Sequence, residues 1–88
     1  MKTIRRYPID NGSIPMVEGA EIISIQVEEG LPYIYAMVDT DAHIDWKVFV
    51  IIKSEMPILE NFDYKFIGTF QARFETYHAF EISKKEKL

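Results

Sequence analysis

Between Asp63 and Ser83 the sequence DYKFIGTFQARFETYHAFEIS changes side-chain character from one residue to the next. Tyr64, Phe66, Gly68, Phe70 and Ala72 fall on one side of an extended chain, with Lys65, Ile67, Thr69 and Gln71 on the other. After a short turn near Arg73-Phe74-Glu75, His78, Phe80 and Ile82 share a side opposite Tyr77, Ala79 and Glu81. Period two is the repeat of a strand, whereas a helix needs apolar residues three and four apart. The spacing predicts two strands joined as a hairpin.

The same test reads most of the remaining chain as strand. Lys2 to Ile9 is expected to be an edge strand with Ile4 pointing inward, since Pro8 removes a backbone donor and Arg5 and Arg6 discourage pairing with other chains. Asp10-Asn11-Gly12-Ser13 is a turn, Ile14 to Val17 a short irregular segment around Pro15, and Glu18-Gly19-Ala20 a change of direction. Glu21 to Glu28 reads as a strand with Ile23, Ile25 and Val27 on one face. Glu29-Gly30 then forms a tight connection into Leu31 to Asp39, a strand apolar on both faces and so expected to be covered on both. Past the polar turn Thr40-Asp41-Ala42, the residues Ile44, Trp46, Val48, Val50 and Ile52 share one face of the longest strand. A helix over Val48 to Leu59 is the rival, but β-branched residues and Pro57 oppose it. Ser54 to Asn61 is expected to be a loop with at most one helical turn. The predicted fold is a single all-β domain over residues 1–83, an antiparallel sandwich or partly open barrel of about six strands with meander pairing. The charged tail at 84–88 is expected to fray.

Composition bounds the function classes. An 88-residue chain makes one domain, and 48% hydrophobic with 14% aromatic residues supplies a core without staples. The absence of Cys excludes disulfides and thiolate metal sites and fits a reducing cytoplasm. A net charge of −4 argues against binding long nucleic acids. The longest apolar run, Val48 to Ile52, is too short to cross a bilayer, and MKTIRRYPID lacks the apolar centre of a signal peptide. The expected compartment is cytoplasmic, with no membrane partner.

Several segments, in order along the chain, carry a family likeness: Lys2-Thr3-Ile4 with Tyr7, Glu18 to Gln26, Ala36-Met37-Val38-Asp39, Phe66 to Gln71, and His78-Ala79-Phe80. Together they resemble an uncharacterised family of very small proteins encoded by phages and prophages. Where that family tends to place a Gly-Thr-Gly-His-like turn before a Pro-Ile pair, this chain has Lys53-Ser54-Glu55-Met56 before Pro57-Ile58. A function attached to that turn is therefore not carried over. The resemblance implies a phage or prophage origin and no particular activity.

No residues form a recognisable catalytic arrangement. The loop around His43 is acidic but lacks the regular oxygen spacing and the glycine of a calcium loop, and no metal or cofactor is expected. His78, beside Phe80 and Ile82, reads as a structural, hydrogen-bonded histidine. Serine elbows and phosphate-cradling glycine loops are missing, and Glu28-Glu29 is accounted for by a hairpin shoulder, so the protein is expected not to be an enzyme. The aromatic side chains Tyr33, Tyr35, Trp46 and Tyr64 carry the main binding signal, flanked by Arg5, Arg6, Lys47 and Arg73. Core packing and cross-strand pairing explain the same aromatics structurally, and a homo-oligomer interface is another use for them. Three roles follow: an accessory protein that binds and inhibits or modulates a host protein, an oligomeric binder of a small nucleotide, or a virion or assembly component.

Overall fold

A computed structural model describes residues 1–85 as seven antiparallel strands, with no helix among them. The strands are β1 (Lys2–Pro8), β2 (Gly12–Val17), β3 (Glu21–Glu28), β4 (Leu31–Asp39), β5 (Ile44–Lys53), β6 (Phe62–Ala72) and β7 (Glu75–Lys84). They form a three-stranded sheet in the order β1-β4-β3 and a four-stranded sheet in the order β2-β5-β7-β6, not closed into a barrel. Of the residues predicted to fray, Lys84 ends β7 and the Lys85 amide lies 3.5 Å from the Asn61 carbonyl; residues 86–88 lie outside those described.

The seventh strand is β2, read above as irregular because of Pro15. As an edge strand it has one side free of hydrogen bonds, where proline is tolerated. The meander is also corrected. Among the described residues the hairpins are β3-β4 and β6-β7, while β1 pairs with β4, β2 with β5, and β5 with β7. The Asp10-Asn11 turn does not fold β2 back on β1 but carries the chain from one sheet to the other. There Asn11 Oδ1 accepts the Ile51 amide at 2.7 Å, and Ile9 is buried at the corner.

The core lies between the sheets. Ile34, Ala36 and Val38 of β4 face Phe49 of β5, Phe70 of β6 and Ala79 of β7, with Ile9, Met16 and Val17 completing the buried set. Two bulges alter the predicted faces. At Ile23 the register of β3 slips, so Ile22, Ile25 and Val27 pack inward and Ile23 is exposed. At Ile67 the register of β6 slips between Phe66 and Gly68, so Phe70 and Ala72 point to the core while Phe66 turns outward. An extra residue in one strand reverses the alternation beyond it. Ile4, expected inside, is also exposed; Tyr7 and Ile9 are the inward residues at that end.

Candidate functional site

The eight residues singled out as binders do not meet in one place. Arg6, Tyr33 and Tyr35 gather on the outer face of the three-stranded sheet, because Arg6 opposes Tyr35 and Pro8 opposes Tyr33 across β1 and β4. Arg5, one residue along, opposes core residue Ala36 and therefore points the other way. Trp46 and Tyr64 lie on the outer face of the four-stranded sheet. Lys47 sits at the open end between the sheets, and Arg73 at the tip of the β6-β7 hairpin.

The Arg6 cluster binds itself. Its guanidinium lies 2.5 Å from a Glu28 carboxylate oxygen and 4.5 Å above the Tyr33 ring, and the Tyr35 hydroxyl donates to the other Glu28 oxygen. The Tyr35 hydrogen bond, then Arg6, hold the Glu28 carboxyl below the usual carboxylate range, and the Glu28 bond raises the Tyr35 phenol. A lowered carboxyl favours the fold above its unfolded pKa, and that contribution disappears as pH falls through the folded value; a raised phenol loses its contribution as pH rises through its own. Substituting Glu28→Gln should therefore lower Tm by a nearly constant amount between about pH 5 and pH 9, with the difference closing in acid and in strong base. A pH series of melts on both proteins checks this, and a gap independent of pH would contradict it.

The cleft holding Lys47, about 380 Å³, is also lined by Lys65, Glu21 and Glu81. Lys47 reaches Glu81 at 3.6 Å, and the two lysines are matched by two carboxylates. Such a balanced lining offers no surplus positive charge to a phosphate. His78 is half-buried, with Nε2 2.8 Å from Ser54 Oγ and Nδ1 2.9 Å from Thr69 Oγ1, so both ring nitrogens have hydroxyl partners. His43 is exposed in the β4-β5 turn, and no group of three His, Asp or Glu able to hold a metal ion occurs among the described residues.

Two surfaces remain unsatisfied. The first is what remains open on the outer face of the four-stranded sheet, which the 54–61 connection from β5 to β6 crosses, with Ser54 bonded to His78 and the Leu59 carbonyl accepting from the Tyr64 hydroxyl. Phe49 and Ala79 point to the core, so Val48 and Val50 on β5 and His78, Phe80 and Ile82 on β7 point away from it. Phe66 and Tyr64 of β6 join them, each meeting the Phe80 ring edge-on at 5.6 Å between centroids. Trp46 is 64% exposed and Phe66 59%. Sequence reading found this stripe on β5 but treated it as an ordinary strand face.

The second is the tip of the β6-β7 hairpin. Ala72 pairs with Glu75, leaving a two-residue loop in which Arg73 (φ 53°) and Phe74 (φ 66°) both adopt the left-handed conformation. This is the type I′ pattern, which suits the strand twist but favours Asn-Gly. The β3-β4 hairpin satisfies it with Glu29-Gly30. At the β6-β7 tip two bulky residues occupy the strained positions, and the Phe74 side chain is wholly exposed. A shallow depression of about 270 Å³ beside it includes Leu31, Ile51, Phe70 and Tyr77. The turn itself was predicted, but the exposure of Phe74 was not; its signal was the two-residue spacing between alternating runs, filled by the wrong residues for such a turn.

A family model described as a domain of unknown function, DUF7352, matches residues 1–88. No curated protein and no solved structure matches the chain. Among the described residues no helix is long and apolar enough to cross a membrane.

Proposed function

The chain belongs to the DUF7352 family, a domain of unknown function, and from that premise we propose that it is a non-catalytic protein-binding module whose recognition element is the Arg73-Phe74 hairpin tip. The carrying observation is a wholly exposed phenylalanine held at positive φ beside an arginine that shares the strain. Strained backbone at a surface tip is retained where the side chains it displays have a use. Aromatic and arginine side chains are frequent anchors of protein interfaces. The fitting partner offers an apolar pocket for Phe74 with a carboxylate on its rim for Arg73. The likeness to phage and prophage proteins supports a finer reading, an accessory factor that acts in the host cytoplasm and inhibits or modulates a host protein. The nucleotide alternative gains nothing from this arrangement, because Arg6 is already engaged with Glu28 and Tyr33.

One double substitution separates strain from use. Arg73→Asn with Phe74→Gly installs the favoured turn and should raise stability by about 1 kcal/mol while abolishing partner capture. The readouts are urea unfolding and affinity capture from a lysate of the bacterium carrying the gene. Wild-type bait retaining a stoichiometric protein that the double variant releases supports the reading. Equal capture by both, or none by the wild type, ends it.

A further inference from the structure

We propose that the free edge of β1 is a docking site for an extended, carboxylate-bearing segment of another protein, which joins the three-stranded sheet as a fourth strand. This edge belongs to the other sheet from the hairpin tip and is independent of it.

The backbone phase of β1 follows from its two ends. At one end the Thr40 amide donates to the Met1 carbonyl, and at the other the Ile9 amide donates to the Pro32 carbonyl. The register between them is unbroken. In an antiparallel pair every second residue exchanges hydrogen bonds with its opposite, so Thr3, Arg5 and Tyr7 direct their backbone groups at β4. Lys2, Ile4, Arg6 and Pro8 direct theirs away. Pro8, which has no amide hydrogen, occupies the phase in which β4 asks for none. The amides of Lys2, Ile4 and Arg6 are thus left for solvent or for another strand.

Of the strands at sheet edges, β1 is the one left open. β3 and β6 lie against each other where the two sheets meet, and each carries a bulge. β2 has Pro15 within its span. β1 runs for 7 residues without a bulge, all but Tyr7 exposed, and Ile4 near its middle is 57% exposed.

Charge identifies the occupant. The chain carries a net charge of −4, yet from Met1 to Ile9 it holds Lys2, Arg5 and Arg6 and no carboxylate side chain. Two copies of β1 laid edge to edge around Ile4 would set Lys2 against Arg6, so a second copy is repelled. The same charge attracts a strand of opposite sign. Arg6 reaches across β4 to Glu28 on β3, whereas among the described residues neither Lys2 nor Arg5 is in an ion pair. These two stand on opposite faces of β1, Arg5 on the side of core residue Ala36 and Lys2 on the outer side. The fitting segment therefore carries a carboxylate on each face, opposite Lys2 and Arg5, and an apolar residue opposite Ile4. Main-chain bonds give such an added strand its affinity, and its alternate side chains give specificity.

A capped peptide, Thr-Val-Thr-Glu-Val-Thr-Glu, serves as the probe, and Thr-Val-Thr-Lys-Val-Thr-Lys as its control. In amide-resolved NMR the acidic peptide at millimolar concentration should shift the Lys2, Ile4 and Arg6 amides and slow their exchange with solvent. The basic peptide should do neither. Arg5→Glu should weaken binding of the acidic peptide about fivefold and bring the basic one into binding. Ile4→Pro removes one outward amide without touching the bonds to β4, so it should fold and raise the Kd of the acidic peptide at least about tenfold. The double variant at the hairpin tip should bind the peptide as the wild type does, so loss of lysate capture and loss of peptide binding are separate results. The proposal is overturned by an acidic peptide that leaves the three amides unchanged or binds no better than the basic one. It is equally overturned by full affinity for a folded Ile4→Pro, which would show charge attraction without strand pairing. Should Ile4→Pro unfold, the wild-type amide pattern and Arg5→Glu decide.

Discussion

Phe49→Ala is expected to cost about 3–5 kcal/mol, the largest effect of any single substitution argued for this chain. Phe49 is 1% exposed and the largest of the fully buried side chains. Among the described residues nine make up the buried core, so its ring cannot be replaced by a shift of many neighbours. A domain of this length has roughly 4–13 kcal/mol of total stability, so the variant should be at or near unfolding at room temperature. Phe49→Leu keeps most of the volume and should lose only about 1 kcal/mol. Urea titrations followed by circular dichroism measure both; a loss below about 1 kcal/mol for the alanine variant would show that the sheets are not packed around this ring.

The second large effect is expected at Gly68. A Cβ placed there would lie 2.8 Å from Ile25 Cγ2, closer than carbon atoms tolerate, and 3.7 Å from Ile25 Cβ. Ile25 cannot swing aside cheaply, because branching at Cβ restricts its first torsion and Cγ2 is bonded directly to the branch point. Here β3 of one sheet meets β6 of the other, beside the bulge at Ile67. Gly68→Ala should cost about 1 kcal/mol and Gly68→Val about 3 kcal/mol through overpacking. Adding Ile25→Ala removes the obstructing methyl, so the Gly68→Ala, Ile25→Ala pair should lose less than the sum of its members. Strict additivity in that cycle would mean the two positions do not touch.

These two sites also mark how far sequence reading carries. Strands β3, β4 and β5 and both hairpin turns were legible, because alternation and Glu29-Gly30 are local properties of the chain. The phase of β3 and β6 was not, since a bulge leaves no mark in composition and reverses every side chain beyond it. Residue 68 was placed on the right face with Phe70, but the tight approach of Ile25 that requires glycine there is a tertiary fact. Strand order was hidden for a related reason: Asp10-Asn11-Gly12 has the residues of a hairpin turn, yet the Ile51 amide bonds to Asn11 and the chain passes between layers. The grouped aromatics and basic residues proved to be dispersed because sequence proximity says nothing about which of two layers a strand joins. Phe74 was concealed differently. Its strain exists only in the backbone torsions, and a phenylalanine in a sequence does not announce that it stands in solvent.

The passage of β1 and β2 into different layers has a kinetic and cooperative consequence. Each layer contains one strand pair close in sequence, β3-β4 and β6-β7, which can form early as an independent local unit. The pairings of β1 with β4 and of β2 with β5 close much longer loops and must wait for those units. Because β1 and β2 lie in different layers and lace them together, neither layer can open fully without disturbing the other. Global unfolding should consequently be all-or-none, with amide exchange fastest in the two lacing strands and slowest in the two hairpins they bind together.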